Sequence, residues 1–165
     1  MTTASQASSD HVPPVWEVER FWVLGQGVTL LADHDNTTGS LTLIEAITPP
    51  YADGPPPHYH NNCDETFHLL EGRLELMRGD EWRTLQPGQA ASVPRNVVHT
   101  FRNPSSTPAR FLSAYTPGGF GRFFRDFGAP ADDFATPPPN VDARTIERLL
   151  ATSANYGMII PSPYT

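Results

Sequence analysis

Three histidines and one glutamate, spaced His58-x-His60-x4-Glu65 with His99 further along, constrain this chain more than any other feature. Alternate residues of a β-strand share a face. If 58–60 and 65–71 run as strands, His58 and His60 point the same way with Tyr59 opposite. Glu65 then heads the next strand, and His99 arrives from a later one. Neutral imidazoles plus one carboxylate suit a borderline divalent metal: Fe, Ni, Mn, Co, Cu or Zn. Four protein ligands in an octahedral site leave positions open for water, O2 or substrate. The expectation is one divalent ion per chain, held by His58, His60, Glu65 and His99, with its identity unreadable.

Turn residues punctuate short apolar runs along most of the chain, the pattern of an all-β barrel or sandwich. The strands expected are two or three within 15–31, broken at Gly25 and Gly27, then 40–47, 65–71, 73–78, 81–85, 90–93, 97–103 and 109–115. The stretch 33–39 is turn chemistry, and 49–57 is a Pro-rich loop that delivers the chain to His58. Phe120, Phe123, Phe124 and Phe127 fall at helical spacing, so a helix closed by Gly128 follows the barrel. After a Pro-rich linker over 129–139, Asn140 is positioned to cap a second helix whose Ile146, Leu149 and Leu150 share a face. The polar segment 1–14 reads as a flexible tail, 15–128 as barrel and trailing helix, and 129–165 as linker, C-terminal helix and tail.

The formal net charge is −7 and no basic run exists, which argues against nucleic-acid and membrane-surface roles. All eleven basic residues counted as Lys or Arg are Arg, so Schiff-base chemistry on a lysine is excluded. One cysteine, no membrane-length apolar stretch and no signal-like start make the cytoplasm the expected location. Cys63 reads as a structural thiol for want of a partner. His68, of opposite strand parity to Glu65, reads as an outer-face residue, and His11 and His34 as solvated. Arg95 and Arg102 are expected in surface ion pairs.

The context of the histidines narrows the reading. Gly54-Pro-Pro-Pro-His58-Tyr-His60-Asn-Asn-Cys-Asp-Glu65 leads to Gly72; after fifteen intervening residues, Gly88 opens a segment through Pro94, Asn96, His99 and Asn103. The pair resembles the two motifs of the cupin superfamily, which implies a single-domain, jelly-roll-like β-barrel around a three-His, one-Glu metal site. Two departures show. Gly54 stands two residues closer to His58 than in the family, and Asn96 replaces a usual glycine, tolerable because Asn accepts left-handed backbone. The Gly118-Gly-Phe120 entry to the Phe-rich helix, and the closing Tyr156-Gly-Met-Ile-Ile-Pro segment, resemble flavonol (quercetin) dioxygenase-like cupins.

That resemblance implies an O2-using dioxygenase acting on an aromatic or enolic hydroxyl, with Glu65 as both ligand and base. Phe67, Leu69 and Phe101 share the ligand-bearing faces and are expected to line an apolar pocket, with Phe120 and Phe124 of the helix as cover. The alternative is a non-oxidative isomerase, cyclase or decarboxylase of aromatic polyketide or related metabolism, with the metal as Lewis acid. A binding or regulatory role ranks behind both. A homodimer is expected, because the aromatic-rich 16–22 strand offers surface for pairing.

Overall fold

The computed structural model describes residues 18–136 and 138–164; the expected tail over 1–14, His11 and Trp16 lie outside them. Twelve strands and two short helices follow in order: β1 Glu19–Val23, β2 Gln26–Ala32, β3 Thr42–Thr48, β4 Tyr59–His60, β5 Asp64–Glu71, β6 Leu74–Arg78, β7 Glu81–Leu85, β8 Ala90–Val93, β9 His99–Arg102, β10 Ala109–Thr116, α1 Gly121–Phe127, β11 Ala129–Pro130, α2 Ala143–Thr152 and β12 Met158–Ile159. The large sheet runs β11-β1-β2-β3-β10-β5-β8; β7-β6-β9 and β12-β4 form the opposing side. A reciprocal His58–His99 backbone pair, at 2.8 and 3.0 Å, joins β4 to β9.

Period-2 patterning produces this architecture. On β3, residues 42, 44, 46 and 48 are buried; on β10, 109, 111, 113 and 115; on β5, 65, 67 and 69. Antiparallel pairing aligns these buried rows, with Tyr115 opposite Glu65 and Ser113 opposite both Phe67 and Ile44. The inward side chains of both sheets make one apolar core. A one-residue slip of β5 would turn Glu65 outward along with its apolar neighbours, so burial of Phe67 and Leu69 also sets the aim of the carboxylate.

Several expectations are corrected by packing. Gly27 does not break a strand: it lies within β2, paired with both Trp22 and Ile47. It is small because the Phe134 ring lies over it, where a Cβ would approach to 2.9 Å. The 49–57 stretch is the expected loop, pinned to β9 near its centre. Asp53 bridges Arg102, and the Gly54 N–H donates to the Phe101 carbonyl at 2.8 Å, so the chain follows β9 up to three half-buried prolines that lead into His58. A Cβ on Gly54 would stand 2.7 Å from that carbonyl oxygen, which accounts for glycine at its shifted position. Asn96 takes the left-handed backbone at φ 65°.

Asp142, not Asn140, caps α2: its carboxylate accepts from the Thr145 N–H at 2.8 Å, the reach of a residue three positions upstream. Only Leu149 of the α2 stripe is fully enclosed, while Ile146 and Leu150 remain exposed. The 129–139 linker contributes β11, which covers the outer edge of β1, and Phe134, whose ring meets Trp22 edge-on at 5.0 Å.

Helix α1 is fastened across one end of the barrel. Phe120, Phe123 and Phe124 point into the core. Arg125 donates to Glu19 at 2.6 Å and to the buried Asp33 at 2.7 Å, and Asp33 in turn accepts from the Thr42 hydroxyl at 2.7 Å. Burial opposes ionisation of Asp33, but those hydrogen bonds hold its carboxyl below the ordinary range. No helix among the described residues is long and apolar enough to cross a membrane.

Candidate metal centre

Three separate elements converge at this end of the barrel. The β4 segment brings His58 and His60, the start of β5 brings Glu65, and the start of β9 brings His99. All four are buried, and one possible ligand atom from each lies within 4.8 Å of the others. The imidazole centroids stand 4.4 to 5.5 Å apart.

Hydrogen bonds at the far side of the rings set which nitrogen faces inward. His58 Nδ1 lies 2.9 Å from the Pro56 carbonyl, and His99 Nδ1 lies 3.0 Å from that of Val97. A carbonyl only accepts, so both Nδ1 atoms carry the proton and present Nε2 as a lone-pair donor to the centre. His99 Nε2 then stands 2.9 Å from Glu65 Oε2, acceptor facing acceptor unless a proton or a metal ion comes between them. His60 is the more telling residue. Both of its ring nitrogens are buried without a hydrogen-bond partner, although Nε2 is 3.3 Å from Glu65 Oε2, close but not aligned to bond. Orphaned buried imidazole is costly unless something else takes the lone pair. The donor set, its inward tautomers and that orphan all fit a divalent metal ion.

The electrostatics point the same way. Burial would raise the Glu65 carboxyl, but His60 and His99 beside it hold it well below the ordinary range. Burial together with its two histidine neighbours pushes His58 well below the ordinary imidazole value, keeping it neutral. Burial also acts to lower His99, but Glu65 outweighs it and the net shift is upward.

Two participants were not foreseen from the sequence. Ser113 Oγ donates to Glu65 Oε1 at 2.6 Å, wholly buried. The phenol of Tyr115 is pushed well above its ordinary value, by burial first and then by Glu65. Both residues face inward on β10, and parity of an 8-residue strand would have flagged them, but not which strand lies beside Glu65.

An apolar cavity of about 70 Å³ opens from the centre; His58, Glu65, Ser113 and Tyr115 border it at one end. Phe101, Phe120 and Phe124 line it, as do Phe111, Phe123 and Met158. Phe67 and Leu69 are not part of that lining: Phe67 packs behind the site between His99, Phe101 and Phe111, and Leu69 is sealed in the core. Phe120 stacks on Tyr115 and meets His60 edge-on, each at 4.6 Å between centroids.

The other singled-out residues lie away from the centre or are inert. Arg95 pairs with Asp64, and Arg102 pairs with Glu75 beneath the Trp82 ring, all near the surface. His68 is on the outer face of β5 and His34 is exposed. Cys63 is buried beside Glu65; burial first, then the charges of Glu65 and Asp64, push its thiol up to about 12, so it stays protonated.

The cupin domain family model matches residues 45–115, a span that includes all four of these residues. The chain is a cupin. This cupin is 32% identical over 108 residues to quercetin 2,3-dioxygenase of Bacillus subtilis (strain 168), a match that takes in 66% of the chain and 32% of that protein. It is 33% identical over 60 residues to polyketide synthase CurC of Streptomyces cyaneus, covering 36% of the chain and 39% of that protein. The chain therefore spans well under half the length of these two relatives. An RmlC-like cupin from Shewanella frigidimarina NCIMB 400 superposes with a TM-score of 0.52 at 16% identity, covering 70% of the chain and 93% of that structure, a likeness of fold.

Proposed function

We propose that this cupin is a metal-dependent dioxygenase that acts with O2 on a small aromatic or enolic molecule bearing an acidic hydroxyl. The observation that carries the reading is the aromatic-walled cavity whose polar end is made by His58 and Glu65. The similarity to quercetin 2,3-dioxygenase supports it.

His58, His60, Glu65 and His99 would hold the ion. When bound, a divalent transition metal supplies Lewis acidity, which lowers the pKa of a coordinated hydroxyl, and a redox-active one supplies electrons for O2 chemistry. The chain does the rest. The phenylalanines bury the substrate skeleton and exclude water. Glu65, ionised at neutral pH, accepts the hydroxyl proton at a carboxylate oxygen, which removes the need for a catalytic lysine. Ser113 keeps Oε1 anchored while this happens.

The cavity of about 70 Å³ is smaller than the roughly 300–1,000 Å³ that holds drug-sized ligands, so α1 and its phenylalanines must move outward to admit such a substrate. The test is oxygen uptake by protein reconstituted with each metal in turn, against a panel of flavonols and other polyphenols. Substrate-dependent uptake with at least one metal is expected; none with any combination would overturn the oxidative reading.

A second reading, a non-oxidative isomerase, cyclase or decarboxylase with the metal as Lewis acid only, is favoured by the match to CurC. Conversion of an aromatic polyketide without oxygen consumption would select it. We also place the protein in the cytoplasm, on its single cysteine, and infer a homodimer; its basis is exposed Leu31, Ile146 and Leu150 and not the expected 16–22 strand, where Phe21 is buried in the core and Phe134 packs on Trp22. A monomeric mass by light scattering at micromolar concentration would overturn the dimer.

A further inference from the structure

One polar side chain stands among the apolar walls at the cavity's far end. Gln26 opens β2 and faces inward, in line with Val28. It is 5% exposed, and its Oε1 accepts a 2.9 Å hydrogen bond from the buried Thr48 hydroxyl. That bond orients the amide: with Oε1 turned to Thr48, both N–H groups of Nε2 are left to face the cavity. Among the described residues, no acceptor takes them. Gln26 is itself one of the residues that line the cavity, so its amide borders open space. The wall residues beside it, Val23, Val28, Ala46 and Phe111, offer no side-chain acceptor.

Strand register separates this amide from the candidate metal ligands. Ser113, which holds Glu65, pairs with Ile44 on β3, whereas Gln26 is tied to Thr48, four residues further along the same strand. At about 3.3 Å per residue the two rows are about 13 Å apart. An apolar slot with an acidic-hydroxyl site at one end and an amide donor at the other selects for length and for a second oxygen.

We propose that Gln26 is a specificity-determining residue whose Nε2 donates to an acceptor oxygen at the far end of an elongated, multi-ring substrate. The inference deepens, and rests on, the proposed hydroxyaromatic substrate. It excludes short phenols, which cannot reach both ends, and ranks multi-ring compounds by whether the outlying ring carries oxygen.

The test compares two probes by titration calorimetry: the unsubstituted flavonol, and its counterpart with a methoxy group at the tip of the outer phenyl ring. Methoxy oxygen accepts a hydrogen bond and donates none. The parent protein is expected to bind the methoxy compound about five-fold more tightly, the effect of one net hydrogen bond. Gln26→Leu should erase that preference. Because this change strands the Thr48 hydroxyl, Gln26→Leu/Thr48→Val serves as the folded control with both partners apolar, and it too should show no preference. Thr48→Val alone frees the amide to rotate and should weaken the discrimination. A preference retained in the folded Leu variants would overturn the role of Gln26 and leave the substrate class standing. Failure of the parent to bind either compound would overturn the aromatic-substrate reading and this inference with it.

Discussion

The hydroxyl of Ser113 donates a 2.6 Å hydrogen bond to Oε1 of Glu65, and both groups are shut away from solvent. Glu65 Oε2 is the oxygen turned toward His60 and His99. The serine thus divides the carboxylate into an anchored oxygen and a ligand-facing one. Loss of such an outer partner typically costs about ten- to a hundred-fold in metal affinity or activity. Ser113→Ala is expected to fall in that range, with Ser113→Thr restoring much of it, as measured by chelator competition and by turnover.

Removing two imidazoles should abolish the site. His58→Ala/His60→Ala is expected to lose stoichiometric metal on elemental analysis while keeping its far-ultraviolet circular dichroism, since the pairing of this segment with β9 is made by backbone groups and not by the two side chains. Full metal content in the double variant would refute the ligand assignment.

Glu65→Gln separates coordination from proton transfer. The amide oxygen can still coordinate but does not accept the substrate proton. Much of the metal should remain, and kcat should drop by about a hundred-fold or more, within the range of general-base contributions. Parent-like turnover in a metal-replete variant would remove the base role.

Acidity should control metal uptake through His99. Its value is raised above 6.5 in the metal-free protein, where burial is outweighed by Glu65, whereas His58 is held neutral. Below the raised value His99 is protonated, and binding must expel that proton. Calorimetry in buffers of different ionisation enthalpy should therefore show release of about one proton near pH 6.5. Apparent affinity should rise with pH and level off once His99 is neutral.

The last residue of the second motif has a structural role. Asn103 is buried, its amide donating to the Thr48, Pro49 and Thr107 carbonyls at 2.7 to 3.2 Å and its Oδ1 accepting from Ser105. Asn103→Leu removes a buried donor from all three carbonyls and the acceptor from Ser105, leaving Pro49 and Thr107 only the Ala52 N–H and the Ser105 hydroxyl, and is expected to cost about 3 kcal/mol in denaturant unfolding. Metal stoichiometry of the fraction that folds should be unchanged.

Much of this protein was legible before any tertiary contact was known. Period-2 burial and turn residues marked the strands, most of them to within two residues, because half-buried strands write their face pattern directly into the sequence. The same parity set His58, His60 and Glu65 to turn inward, and the spacing to His99 resembled a known motif pair. The phenylalanine stripe marked α1, whose helical period is as local as the strand period.

What only the tertiary structure decided depends on pairing between residues far apart in the chain. Ser113 reaches Glu65 because β10 lies beside β5, across 48 residues of sequence. Gly27 is a strand residue because Phe134 folds back over it, and Phe67 is excluded from the cavity because β9 and β10 pack their aromatics in front of it. Gln26 faces the cavity through a hydrogen bond to Thr48 on the neighbouring strand. Strand parity states which face a side chain takes; which strand stands next to it is set by the packing of the whole barrel, and no local period records that.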